Sequence, residues 1–141
     1  MEEEVVKGIC EELEDSVSKE KPIIVDTTGS LIYLKRNLLD RLRKQVVTVH
    51  LNLPAYEHEE LLAAYLLDPK PLIWKGIFNP IENENPNRTI KRCFGELLSF
   101  RKELYKLISD CVLDYSFHHD AKTGVTEFLE IVSSNSKNNL L

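Results

Sequence analysis

The sequence has little of several residue types, and each scarcity argues against a class of protein. It has three cysteines in 141 residues and no C-x-x-C pair, which argues against a zinc site or a disulfide framework. It also has no apolar run long enough to cross a bilayer. Its start, Met-Glu-Glu-Glu, is acidic where a secretory signal is basic. We therefore expect a cytoplasmic protein that has no membrane partner.

Positive charge is also scarce, because 18 Lys and Arg stand against 23 Asp and Glu, for a net charge of −5. Nucleic-acid binding depends on neutralising phosphates with Lys and Arg, so no nucleic-acid partner is expected. A local basic cluster could still bind one small anionic ligand. Apolar residues make up 43% of the chain and charged residues 29%, the profile of a soluble globular protein.

Glycine is rare as well, with five residues, and none of them begins or ends a G-x-x-x-x-G-K-(S/T) loop. That loop holds the phosphates of a nucleotide in P-loop proteins. The isolated chain is therefore expected to bind ATP–Mg²⁺ very weakly, with a Kd in the millimolar range or higher. This Kd corresponds to a binding free energy of roughly −4 kcal/mol or less favourable.

The order of helical and extended patterns predicts an α/β fold with a small, mostly parallel sheet and flanking helices. In such sheets ligands bind beyond the carboxyl ends of the strands. We expect one domain over residues 1–132 and a flexible tail over 133–141. Helices are predicted over 2–18, 35–45, 55–67, 88–108 and 121–133, and strands over 23–26, 46–53 and 110–115.

Residues 68–87 differ from the rest, because they contain four prolines and several asparagines. Long loops without regular structure are uncommon in compact domains and are often lids or binding loops. We therefore interpret this segment as a lid-like loop, in which Trp74 and Phe78 dock on the body of the protein.

Asp26 ends an apolar run at the predicted ligand end of the sheet. In P-loop proteins an Asp at such a place helps to hold Mg²⁺; the alternative is a carboxylate that caps the next turn. Thr28, Gly29 and Ser30 follow, and glycine lets backbone N–H groups approach a ligand closely. The alternative for these three residues is a plain polar turn.

The most specific pattern is L-L-x-x-R-x-x-L-Y-x-x-x-S-D over residues 97–110. It resembles the penultimate helix and the start of the last strand of shikimate kinases, which carry Ala in place of this Ser. With this segment aligned, residues 24–30 resemble the strand and glycine-rich turn that bind shikimate, and residues 68–72 resemble part of the lid. The resemblance covers about residues 3–116.

The resemblance implies a truncated P-loop-kinase-like fold and phosphoryl transfer from ATP to a hydroxyl group, with Mg²⁺. It implies that Asp26 is a catalytic residue and a Mg²⁺ ligand. Arg101 would bind the carboxylate of the acceptor, since a planar fork of donors suits that group; a surface salt bridge is the alternative. The substrate-binding set is then Thr28, Gly29, Ser30 and Arg101, and the basic residues of the lid are Lys70, Arg88 and Arg92.

This sequence departs from the family in three places. One glycine, Gly29, stands where the family has three, and Lys70 stands where its lid has an arginine. The phosphate loop, which the family places upstream, is absent. Two functions therefore remain open. One is a phosphotransferase fragment that supplies acceptor-binding and lid elements for phosphorylation of a small hydroxylated acid. The other is a degenerate, non-catalytic kinase-like protein that binds a ligand or another protein.

The missing part also affects the sheet. In the family, the strand before the phosphate loop lies between the strands that match residues 23–26 and 46–53. Unpaired strand edges are templates for pairing, and buried unpaired backbone groups are costly. We therefore expect these two strands to pair directly, or another protein chain or a second copy of this chain to fill the gap.

Overall fold

The computed structural model describes residues 2–15, 23–119 and 124–135, and these form a mixed α/β fold that is mostly helical. Short 3-10 turns cover Leu31–Tyr33 and Ala55–Glu57. No described helix is both long and apolar enough to cross a membrane. The helices are α1 (Glu2–Asp15), α2 (Arg36–Arg43), α3 (His58–Leu67), α4 (Pro86–Ile108), α5 (Tyr115–His119) and α6 (Val125–Asn135), and the strands are β1 (Val49–Leu51) and β2 (Cys111–Leu113).

The first core cluster lies between α1 and α2. Apolar residues repeat at helical spacing on both, so each helix has one apolar face that must be buried. Val6 and Cys10 on α1 are 5% and 0% exposed, respectively. They belong to one buried cluster with Leu31 and the α2 residues Leu38, Leu39 and Leu42.

Helix α4 is the longest described element, at 23 residues, and it carries the pattern that was most specific in the sequence. It begins where Asn85 accepts a hydrogen bond from the backbone N–H of Asn87 at 2.9 Å, with Pro86 in the first turn. Asn caps and first-turn prolines are favoured because the first N–H groups of a helix have no partner within it. Its buried face consists of Thr89, Cys93, Phe94 and Leu97.

The sheet has two described strands, β1 and β2, which pair in parallel with Val49 opposite Cys111 and Leu51 opposite Leu113. The predicted parallel sheet is thus confirmed. Both strands are shorter than predicted, and Tyr115, expected in the last strand, begins α5.

The helical prediction for 55–67 is confirmed as a 3-10 turn that continues into α3. Helix α6 extends to Asn135, and the rest of the predicted tail lies outside the described residues.

The register of the two strands is set by Asp110. One carboxylate oxygen accepts hydrogen bonds from the N–H and the hydroxyl of Thr48, at 3.0 and 2.7 Å. The other lies 3.5 Å from the Arg43 guanidinium at the end of α2. Burial raises the pKa of Asp110, but the Thr48 hydrogen bonds and the Arg43 charge outweigh it and hold the pKa below its ordinary value. The carboxylate therefore joins α2, β1 and β2.

The predicted strand at residues 23–26 is wrong. Residues 23–28 have no regular structure, and Ile24 is 92% exposed. The predicted direct pairing of this segment with β1 is therefore wrong as well. The preference of β-branched residues for strands depends on neighbours that the side chains can pack against, and no described residue pairs with this segment. That another chain fills the gap stays a prediction.

Replacing Asp110 with alanine should destabilise the fold by about 2–4 kcal/mol, because Arg43 and Thr48 would lose their partner. The control is Asp40→Ala, which removes an exposed ion pair with Arg36 and should change stability by less than about 0.5 kcal/mol. Urea unfolding followed by circular dichroism measures both. Equal losses in the two variants would contradict the role given to Asp110.

Candidate anion-binding site

The turn that contains Gly29 lies directly against α4. The Tyr105 hydroxyl donates a hydrogen bond to the Gly29 carbonyl at 2.9 Å. A Cβ atom at Gly29 would meet the Tyr105 hydroxyl oxygen at 3.0 Å and Nη1 of Arg101 at 3.2 Å. A side chain at this position would therefore require the Tyr105 hydroxyl and the Arg101 guanidinium to move by a few tenths of an ångström. The structure thus brings together Gly29 and Arg101, two of the residues predicted to bind substrate.

Thr28 and Ser30, on either side of Gly29, are bonded to α1. The Ser30 hydroxyl lies 2.9 Å from each carboxylate oxygen of Glu2, and the Thr28 hydroxyl also donates to Glu2. The two hydroxyl oxygens are 2.8 Å apart. Both predicted binding hydroxyls are thus occupied by a carboxylate of the protein itself, and they hold the turn against the first residues of α1.

Arg101 is surrounded by hydrogen-bond acceptors and by a second cation. Its Nε donates to the Tyr33 hydroxyl at 3.2 Å, and its Nη2 donates to the Ile73 carbonyl at 3.4 Å. The guanidinium carbon lies 5.6 Å from the centroid of the Tyr33 ring, and the Lys75 ammonium lies 4.9 Å from the same centroid. Within the described residues, no carboxylate forms an ion pair with Arg101 or Lys75.

A left-handed turn places Lys75 beside Tyr33. Lys75 has φ 50° and Gly76 has φ 82°, and the N–H of Ile77 donates to the Trp74 carbonyl at 3.0 Å. Positive φ is uncommon for a residue with a long side chain. The rings of Trp74 and Phe78 lie 5.1 Å apart, and both side chains are half-buried, which holds the turn in place from both sides.

Positive charge continues along α4 beyond Arg101. The His50 ring lies 4.9 Å from the Tyr105 ring. Burial, followed by the charges of Lys102, Lys106 and His118, lowers the pKa of His50. Burial and Lys102 likewise lower the pKa of His58.

Tyr105 stays protonated at neutral pH. Burial raises its pKa and Tyr33 adds to this, although the Arg101 charge acts in the opposite direction. A protonated hydroxyl is what the hydrogen bond to the Gly29 carbonyl requires, because the carbonyl can only accept.

Of the three lid cations, Arg88 and Arg92 lie away from Arg101 on α4. Lys70 is exposed and pairs with Asp68 at 2.6 Å. Arg92 pairs with Glu84 at 2.8 Å; that hydrogen bond is the main reason why the pKa of Glu84 falls to about 2, although burial opposes it. Arg92 precedes Arg101 by nine residues of α4, which places it about 13 Å away along the axis and on the opposite side.

Arg88 lines a separate shallow depression at the start of α4, together with Lys91, Asn85 and Asn87. The helix there begins with a capped turn, so its N–H groups are partly satisfied. A wider depression lies between α1 and α2, and two of its charged residues, Glu14 and Arg41, pair with each other at 2.6 Å. Neither depression includes Arg101.

Asp26, the residue predicted to be catalytic and to bind Mg²⁺, is exposed on the irregular segment before the Gly29 turn. No group of three His, Cys, Asp or Glu side chains within the described part of the chain is arranged to hold a metal ion. The role of Asp26 therefore stays a prediction.

Comparison with known proteins adds no relative: no protein-family model, curated protein or solved structure matches this chain. The resemblance to shikimate kinases therefore stays a prediction, and function has to be argued from the geometry.

Sequence reasoning missed Glu2, Tyr33, Lys75 and His50. The available signals were Gly76, since glycine marks turns, and Tyr105, which is four residues after Arg101 and so shares its helix face.

Gly29→Ala should destabilise the protein by about 1–2 kcal/mol, because the new methyl group displaces the Tyr105 hydroxyl from its hydrogen bond. The loss should shrink in a Tyr105→Phe background, where the first atom that the methyl group meets is gone. Gly8→Ala is the control, since nothing lies within 4 Å of a Cβ at this position in α1. It should stabilise the protein by about 0.5–1 kcal/mol. Urea unfolding of the unchanged protein, the three single variants and the double variant measures all of these effects. A Gly29→Ala variant with unchanged stability would contradict the close approach.

Lys102→Gln should raise the pKa of both His50 and His58, because the substitution removes a positive charge that lowers each of them. Both rings protonate less readily in the folded protein than in the unfolded chain. Their contribution to the free energy of unfolding is therefore fully present above about pH 6.5 and is lost as the pH falls through the folded pKa. An NMR titration of the imidazole protons measures both values, with Lys91→Gln as the control. Unchanged values in Lys102→Gln would place its charge away from the two rings.

Proposed function

We propose that this chain binds a small organic acid, whose anionic group lies against Arg101 beside the Gly29 turn. The observation that carries the proposal is the close approach of Arg101 to the Gly29 turn, where Nη1 would lie 3.2 Å from a Cβ atom at Gly29. One end of a planar fork of N–H donors therefore lies directly against the backbone of a residue that has no side chain. Guanidinium groups match carboxylate and phosphate oxygens with two parallel hydrogen bonds.

The charge around Arg101 supports an anionic ligand. No carboxylate of the described residues pairs with Arg101 or Lys75, although the chain as a whole has a net charge of −5. Acids elsewhere on the surface repel anions. The binding free energy of an anion is therefore more favourable at a cationic cluster that has no acid partners. A charge-assisted hydrogen bond there contributes about 1.5–3 kcal/mol.

Two tyrosines add polar groups at the same place. The Tyr33 hydroxyl accepts from Arg101, and its own hydrogen can be donated to a ligand oxygen. Tyr105 donates a hydrogen bond to the Gly29 carbonyl, which holds the turn against α4. The ligand group thus meets donors from α4 and from the 3-10 turn Leu31–Tyr33.

A second candidate is the phosphotransferase fragment that the sequence resemblance implies. One observation favours it: Gly29 and Arg101, to which the resemblance assigns the acceptor, lie against each other. In that case the acid would carry a hydroxyl group, and another polypeptide would supply the nucleotide loop for ATP and Mg²⁺. Phosphorus NMR with this chain, ATP–Mg²⁺, the acid and a polypeptide that carries the nucleotide loop tells the two apart, because the isolated chain should transfer no phosphate in either case. If the chain only binds the acid, no phosphoryl group should be transferred from ATP to the acid.

A titration with small acids tests the proposed function. Acetate, shikimate and methyl phosphate, added in turn, should shift the amide NMR signals of Gly29 and Tyr105. Arg101→Gln should weaken whichever of them binds by at least about tenfold, since a lost contact of about 1.4 kcal/mol corresponds to that factor. Arg36→Gln is the matched control, because it removes the same charge from an exposed pair with Asp40.

Two outcomes would contradict the proposal. One is the absence of shifts with every acid. The other is equal binding by Arg101→Gln and the unchanged protein, which would place the ligand somewhere other than the guanidinium.

A further inference from the structure

Two cations border one aromatic ring in this protein. The Lys75 ammonium lies 4.9 Å and the Arg101 guanidinium carbon 5.6 Å from the centroid of the Tyr33 ring. Attraction to the ring face holds an exposed cation only weakly. Because no described carboxylate pairs with either cation, their mutual repulsion is not offset by an acid of the described chain.

The backbone at Lys75 is an independent observation that points to the same place. Lys75 adopts φ 50°, in the left-handed region, and Gly76 follows it at φ 82°. A lysine is disfavoured in that region, where Gly and Asn are the usual residues. Such outliers are associated with ligand sites, where the surrounding structure maintains them. Here the turn places Lys75 over the ring of Tyr33, which Arg101 also borders.

The two cations differ in how they bind an anion. A guanidinium alone can satisfy both oxygens of a monocarboxylate, because its fork matches that group. An ammonium on a flexible stem acts as a point charge and suits the additional charge of a phosphate. Lys75 is exposed, so its ammonium can turn from the face of Tyr33 toward the hydroxyl edge, where Arg101 donates.

We infer that the anionic group bound beside Gly29 is a phosphate monoester, with Lys75 as the second cation that distinguishes it from a carboxylate. This inference rests on the proposed function, because Arg101 is the first cation. Lys75 determines specificity: it adds affinity for the dianion and little for a monoanion. The segment after α3 thus contributes to ligand selection through Lys75, whereas Lys70 pairs with Asp68.

The test compares methyl phosphate with acetate on the full chain, at constant ionic strength. At about pH 7.5 methyl phosphate is almost entirely a dianion, since the second pKa of a phosphate ester is about 6. The unchanged protein should bind methyl phosphate at least about tenfold more tightly than acetate. Lys75→Gln should remove most of that preference, with acetate affinity changed by less than about twofold. Lys75→Arg, which keeps the charge, should retain the preference.

Lys70→Gln is the matched control, because it removes the same charge from the same irregular segment. It should leave both affinities unchanged, and the amide NMR spectrum of each variant confirms that it is folded. Equal losses in Lys70→Gln and Lys75→Gln would reveal an effect of overall charge and overturn the inference.

The failure of the inference and that of the proposed function give different results. If Arg101→Gln abolishes binding of both anions while Lys75→Gln changes neither, or weakens both equally, the inference is overturned and the proposed function stands. If neither anion shifts the signals of Gly29 and Tyr105 in the unchanged protein, the proposed function fails and the inference fails with it.

Discussion

The half-buried carboxylate of Asp110 is the contact on which the arrangement of the other elements depends. It joins the end of α2, the residue before β1 and the residue before β2 through Arg43 and Thr48. Because Asp110 follows α4 by two residues, the same contact fixes where that helix ends relative to the sheet. Arg101 and Tyr105 lie on the last two turns of α4, so their position beside Gly29 follows from an interaction outside the candidate site.

The elements that the sequence predicted well are those whose signals are local. Helix α4 was predicted over residues 88–108, and a parallel sheet was predicted from the alternation of helix and strand patterns, although the pairing of β1 with β2 was not. Residues 23–26 had an equally clear β-branched pattern and form no strand. A strand requires a partner as well as a pattern, and the presence of a partner is a property of the whole fold.

The candidate site was predictable only in part, for a related reason. The proximity of Gly29 and Arg101 followed from an aligned pattern that spans both positions. Glu2 lies 26 residues from Thr28, and no spacing rule connects them. Arg92 was predicted to be a basic residue of the lid, but Glu84 binds it near the start of α4. Cations in an acidic sequence find nearby acid partners, and the residues that remain unpaired are identified only when the chain is folded.

The exposed irregular segment 23–28 has a consequence for the integrity of the chain. Proteases cleave exposed peptides that lack secondary structure, and segments held in strands or helices resist them. Ile24 is 92% exposed, and the segment lies between α1 and the rest of the fold. A cut there would leave α1 attached by its packing on α2 and by the hydrogen bonds of Glu2 to Thr28 and Ser30. The protein would then persist as a nicked but assembled pair of fragments.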